Sequence, residues 1–171
     1  PVPVMLEAEY LLTPMEAGEE VWLQKLDARI LELLKKPDRE GYSKQVLCGE
    51  EDLMASMDVY LADRRKQKAR LCYLRLLHDM GLSDNMRSLL NEWLKSHAKG
   101  CESEAAWEVA LKEHGENNAY YELYAAAGGI TEENFDALLS DMGEEDPERK
   151  AWILRYKKEH MEQTDFFDGF A

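Results

Sequence analysis

Nowhere along this chain does a stretch of strand length alternate β-branched apolar residues with polar ones. That absence restricts the fold more than any other feature. Val, Ile and Thr are too few and too scattered to fill the half-buried, pleated face of a sheet. What recurs instead is helix punctuation. Thr13-Pro14-Met15-Glu16 combines a capping threonine, proline at the first helical position and a glutamate placed for a capping box. Val21, Trp22, Leu26, Ile30, Leu33 and Leu34 then repeat at helical spacing, until Lys35, Lys36 and Pro37 end the run. Residues 37–49 read as a connector.

A long helix is expected from about 51 to 80, closed by Gly81. Its ends are amphipathic, but ADRRKQKAR at 62–70 has no large apolar side chain. Good helix propensity favours a continuous helix there, facing water or projecting past the core. Later glycines at 100, 115, 128–129 and 143 each close a short helical run. Ser83, Ser103, Thr131 and Asp146-Pro147 are placed to open them. The fold class is therefore all-α: a compact bundle of about six to seven helices, one long helix followed by several short antiparallel ones. At 171 residues one domain over 1–171 is expected, burying roughly 70% of its unfolded surface. A flexible tail is expected at 164–171. Trp22, Leu26, Ile30, Leu90, Trp93, Trp107, Leu111, Leu138 and Trp152 are the expected core.

Charge lies along the chain in blocks. Residues 64–100 hold nine Lys or Arg against three acids, a net of +6. Residues 101–147 hold thirteen acids against one base, Lys112, a net of −12, in a chain of net −14. Such a dipolar molecule is expected to offer two exterior surfaces with opposite preferences for partners. The whole-molecule field repels phosphate, which disfavours non-specific binding of nucleic acid.

Missing motifs exclude much chemistry. None of His78, His97, His114 and His160 has a Glu three residues before it, so the paired Glu-x-x-His of di-metal bundles is absent. No HExxH, GxxxxGK[ST], GxGxxG or GxSxG occurs. Glu50-Glu51-Asp52 and Glu144-Glu145-Asp146 lack the spacing of a calcium loop and suit helix starts instead. No metal or cofactor is implied. Cys48, Cys72 and Cys101 are odd in number and form no CxxC pair, which fits a reduced, cytoplasmic setting. No stretch approaches the roughly 20 apolar residues of a membrane span, and the N-terminus has no positive leader.

Four segments remain as candidates. Arg64, Arg65, Lys66, Lys68, Arg70 and Arg75 form a basic patch suited to phosphates or an acidic protein; a solvated segment paired with the chain's own acids is the simpler reading. The acidic faces, with Glu132, Glu133, Asp136, Glu144, Glu145 and Asp146, suit a basic groove. Leu123–Leu139 loosely follows a helix-turn-helix pattern, but its second helix would offer carboxylates to DNA, so an αα-hairpin is expected. Tyr120, Tyr121 and Tyr124 read as core packing. At the C-terminus Phe166, Phe167 and Phe170, set among acids, either dock on this domain or form a short motif for a partner.

The expected function is a non-catalytic interaction protein, an adaptor or inhibitor, whose acidic helical faces bind a protein partner such as a basic nucleic-acid-handling protein. The alternative is a nucleic-acid-associated regulator using 64–75, and behind it an enzyme with a dispersed site.

Overall fold

A computed structural model of the chain describes residues 11–37, 50–114, 117–144 and 147–162; of residues 50–58 and 162 it describes the backbone alone. Among the described residues there is no strand, and the all-α expectation holds. Eight α-helices follow one another there: α1 (Leu12–Ala17), α2 (Glu20–Lys35), α3 (Glu50–Leu77), α4 (Asp84–Lys95), α5 (Ala105–Glu108), α6 (Asn118–Ala126), α7 (Phe135–Met142) and α8 (Pro147–Lys157). Two of them widen into π-helical turns, α5 into Val109–Glu113 and α8 into Lys158–Glu162. The helices group into two compact units, Pro1–Gly129 with α1–α6 and Ile130–Ala171 with α7 and α8.

One expected helix is in fact two. Gly18 sits at φ +70° and its N–H bonds the Met15 carbonyl, which ends α1 in a left-handed cap. Glu19 is extended, and its carboxylate accepts from the N–H groups of Val21 and Trp22 to start α2. Thr13 is therefore inside α1, which begins after Leu11 with no side-chain cap. Ser83 does cap α4, its Oγ accepting from the Met86 N–H at 3.1 Å. Ser103 does not cap α5: Glu104 holds that position, and its carboxylate instead accepts from the Gly100 N–H and pairs with Lys99.

Helix α3 is the axis of the first unit and packs on α2, α4, α5 and α6. The ADRRKQKAR stretch is helical throughout, as its propensity implies, but it is not a solvated spacer. Lys68 and Ala69 are buried within it. Leu71, Cys72, Tyr73 and Leu76 continue the interior face and meet Leu23, Leu26, Ile30 and Leu33 of α2 and Leu90 and Leu94 of α4 in one core.

Of the expected core, Leu26, Ile30, Leu90, Trp107 and Leu138 are buried, whereas Trp22, Trp93, Leu111 and Trp152 are only half-buried. Tyrosines supply much of the aromatic interior of the first unit instead. Tyr73, Tyr120, Tyr121 and Tyr124 are all buried, with Trp107 against Tyr124 at 5.2 Å between centroids and Tyr73 against Tyr120 at 5.3 Å. Tyrosine can be buried here because its hydroxyl is satisfied: Tyr73 donates to the Ala106 carbonyl, and Tyr124 Oη accepts from the Lys99 N–H. The tyrosine cluster is core, as expected.

In the second unit Phe135, Leu138 and Met142 of α7 and Ile153 of α8 are buried. Thr131 is not the cap of α7. It sits one turn earlier, where its Oγ1 accepts from the Asn134 N–H while Asn134 Oδ1 accepts from the Thr131 N–H, a reciprocal pair that closes the turn into the helix. Lys157 Nζ lies 4.3 Å from the Phe135 ring and ties α8 to α7.

A Cβ added at Gly129 would fall 2.5 Å from the Tyr124 ring, a separation real atoms do not adopt. The ring cannot retreat, since it is fully buried and bonded through its hydroxyl. Gly129→Ala is expected to destabilise the chain by about 1–3 kcal/mol, measured as a lower urea midpoint by circular dichroism. An unchanged midpoint would show that this contact relaxes freely.

Candidate functional site

Structure divides the basic stretch of α3 by depth. Arg75 is fully buried. Its Nε and Nη2 donate to the two oxygens of Asp27 on α2, at 2.7 and 3.2 Å, and Nη1 and Nη2 donate to the His78 and Met80 carbonyls at 2.6 and 2.8 Å. The last two carbonyls lie just past the end of α3, where backbone acceptors have no helical partner. One guanidinium thus supplies a bidentate ion pair and a C-terminal cap. Lys68, two turns earlier and also buried, donates to the Lys36 carbonyl at 2.8 Å, which closes the end of α2. Residue 68 meets residue 36 and residue 75 meets residue 27, so α2 and α3 run antiparallel.

The shallower cations meet the acidic block of the same chain. Arg70 Nε and Nη2 each donate to Glu113 at 2.7 Å, with Asp63 a further 4.0 Å contact, and Lys66 stands 3.8 Å from Glu108. Lys66 and Arg70 are four residues apart, whereas Glu108 and Glu113 are five apart. Five residues overshoot one α-helical turn but come close to one turn of a π-helix, whose bonds run from i to i+5. The widened turn after α5 therefore lets both carboxylates face α3. Arg64 lies 5.7 Å from the Tyr60 ring, and Arg65 is half-exposed.

This arrangement corrects the expected basic patch. Lys68 and Arg75 are interior residues, since their donors satisfy backbone carbonyls and a carboxylate that would otherwise be stranded. Lys66 and Arg70 partly neutralise the acidic stretch rather than forming a pole opposite to it. The positive block in sequence does not become a positive block on the exterior. Among the described residues, eighteen Asp or Glu are exposed against six cations: Lys25, Lys35, Lys95, Lys112, Arg155 and Lys158.

Of the acidic candidates, Glu132, Glu133 and Asp136 are exposed around the start of α7, and Glu144 is exposed just past its end. Carboxylates at a helix N-terminus also favour the local dipole. Eight residues at 1.5 Å rise place about 12 Å between these two acidic ends. Glu145, Asp146, Phe166, Phe167 and Phe170 lie outside the described residues, as do Cys48 and the expected tail. The glycine-containing link of the expected αα-hairpin falls at the boundary of the two units.

Groups suited to chemistry are found in structural roles. Among the described residues no three of His, Cys, Asp and Glu are grouped to hold a metal ion. Cys72 is fully buried and desolvation pushes its thiol far up, so it stays protonated. Cys101 gives its S–H to the Lys95 carbonyl at 3.6 Å. His97 stacks on Trp93 at 3.8 Å, and His114 stacks on Tyr120 at 3.7 Å with planes 5° apart. Burial holds His114 below its ordinary value of 6.5; adjacent Glu113 opposes that shift and Arg70 adds to it.

One feature escaped the sequence reading. On α8 and its π-turn, Trp152, Tyr156 and His160 stack in a ladder with centroids 5.8 and 4.3 Å apart, and His160 Nδ1 is 3.2 Å from the Tyr156 carbonyl. The same segment carries Arg149, Lys150, Arg155, Lys157 and Lys158 against Glu148, Glu159 and Glu162. A second basic segment with aromatics every fourth residue was visible in the sequence, but the larger block at 64–75 overshadowed it.

No protein-family model, no curated protein and no solved structure matches this chain. Among the described residues no helix is long and apolar enough to cross a membrane.

Arg75→Met would strand Asp27 and two carbonyls, and a loss of about 3–5 kcal/mol is expected. Adding Asp27→Leu should recover part of it, because the stranded charge is removed; chemical unfolding of the single and double variants measures that coupling. For His114, a lowered folded value means that the unfolded chain takes up the proton first. Stability should therefore fall as pH drops from about 6.5 toward that lower value. In His114→Phe, which keeps a ring on Tyr120, urea midpoints measured from about pH 7.5 to about pH 5.5 should decline less than in the native chain.

Proposed function

We propose that this protein is a non-catalytic adaptor or inhibitor that sets acidic helical faces against a basic surface of a protein partner. A nucleic-acid-handling protein is the partner class whose grooves carry that charge. The observation that supports this reading most is the fate of the cations. Four of the six at 64–75 are turned inward or matched with Asp27, Glu108 and Glu113, and among the described residues exposed carboxylates outnumber exposed cations in a chain of net −14. A field of one sign speeds encounter with a surface of the opposite sign and repels nucleic acid. The acids flanking α7 provide the face we assign to the contact: Glu132, Glu133 and Asp136 at one end and Glu144 at the other.

Nucleic-acid binding through 64–75 is less well supported, because two of its six cations are interior and two face carboxylates of this chain. Free thiols at Cys72 and Cys101 are in keeping with a reducing, cytoplasmic setting.

Fluorescence anisotropy with a Lys/Arg-rich peptide at low and moderate salt tests the proposal. Saturable binding that weakens with salt, and by about tenfold in Glu132→Lys/Glu133→Lys/Asp136→Lys, is the expected outcome. Duplex and single-stranded DNA serve as the comparison. DNA binding lost on Arg64→Glu/Arg65→Glu, with the basic peptide ignored, would overturn the reading in favour of the nucleic-acid regulator.

A further inference from the structure

We propose that the outer face of α8 is a second docking surface, for a partner's amphipathic helix whose apolar stripe is rimmed by carboxylates. The observation behind it is independent of the acidic faces. Leu154 is 50% exposed although it lies mid-helix, one turn after Lys150 and one turn before Lys158. Arg155 and Lys158 beside it are both exposed, and they are two of the six exposed cations among the described residues. Residues four apart form a ridge along a helix. Lys150, Leu154 and Lys158 thus present an apolar knob between two ammonium groups, with a guanidinium on the adjoining ridge. The flank of α8 beside this face is held in place: Ile153 is fully buried and Lys157 lies over Phe135. Trp152 and Tyr156, half-buried in the stacked ladder, lie on the opposite side of the helix and leave this face to Leu154 and its flanking cations.

Charge complementarity selects the occupant. The exposed face needs both an apolar cover for Leu154 and anions for Arg155 and Lys158, placed about a turn apart. An acid-rimmed amphipathic helix supplies both at that spacing. A nucleic-acid strand brings a dense line of phosphates toward a chain of net −14 and offers no apolar cover for the leucine.

The probe is a fluorescein-labelled helix of about three heptads with Leu at the apolar positions and Glu flanking them, kept from self-pairing by its own charge. The intact chain should bind it saturably. Leu154→Glu and Arg155→Glu/Lys158→Glu should each weaken it by about tenfold, while circular dichroism stays unchanged and binding of the Lys/Arg-rich peptide is not weakened, since these side chains are exposed and no α7 acid is removed. No binding of the acidic helix, or equal binding by native and variant chains, overturns the proposal. So does binding of oligo(dT) through the same residues in place of the peptide. A loss of basic-peptide binding in the α7 variant alone bears on the acidic-face reading and leaves this surface intact.

Discussion

A single buried guanidinium organises the first unit. Arg75 has no exposure, and four donated hydrogen bonds reach Asp27 on α2 and two carbonyls beyond α3. A charge taken out of water is tolerated only when its partners replace hydration closely. That requirement sets the register of α2 on α3 and the path of the chain as it leaves α3. Lys68 imposes a similar condition two turns away, at the end of α2. Leucines and isoleucines between them contribute burial but no direction, because apolar contact is indifferent to small slips. The two cations make one antiparallel alignment preferable to its neighbours.

The same economy of charge shapes the exterior. Once Arg75, Lys68, Arg70 and Lys66 are committed to carbonyls and carboxylates of their own chain, little positive charge remains to offset the exposed acids. The π-turn after α5 belongs to this arrangement. It adjusts the spacing of Glu108 and Glu113 to that of Lys66 and Arg70. Among the described residues, exposed charge is mostly carboxylate, and on α8 Leu154, Arg155 and Lys158 are exposed side by side. Both proposed contacts follow from which charges are left over after folding.

Much of the fold was legible because its signals are local. Pro14, Gly81, Ser83 and Pro147 mark helix ends through backbone constraints that act over three or four residues. Where reading failed, a competing local partner was at hand. Gly18 divided an apparently continuous apolar run, since a left-handed cap with Glu19 behind it starts α2 better than Thr13 starts α1. Glu104 displaced Ser103 because its longer side chain reaches Gly100 and Lys99. Trp22, Trp93 and Trp152 were expected inside on hydrophobicity alone; tyrosines with satisfied hydroxyls hold the interior instead. In the basic stretch, pairing with the chain's own acids was legible for Lys66 and Arg70, but the burial of Lys68 and Arg75 was not. Whether a lysine faces water or a buried carbonyl depends on a residue some thirty positions distant, and no periodicity records that.

By itself, then, the order of residues determined helical class, the long third helix, several caps and turns, and the net charge. These depend on propensity, dihedral limits and a sum of ionisable groups, all independent of long-range contacts. Tertiary structure alone decided which cations are interior, which acids they neutralise, and which face of α8 stays open with Leu154 at its centre. Those outcomes rest on distances between segments far apart in the chain, and Coulomb and hydrogen-bond energies become specific only once packing has set those distances.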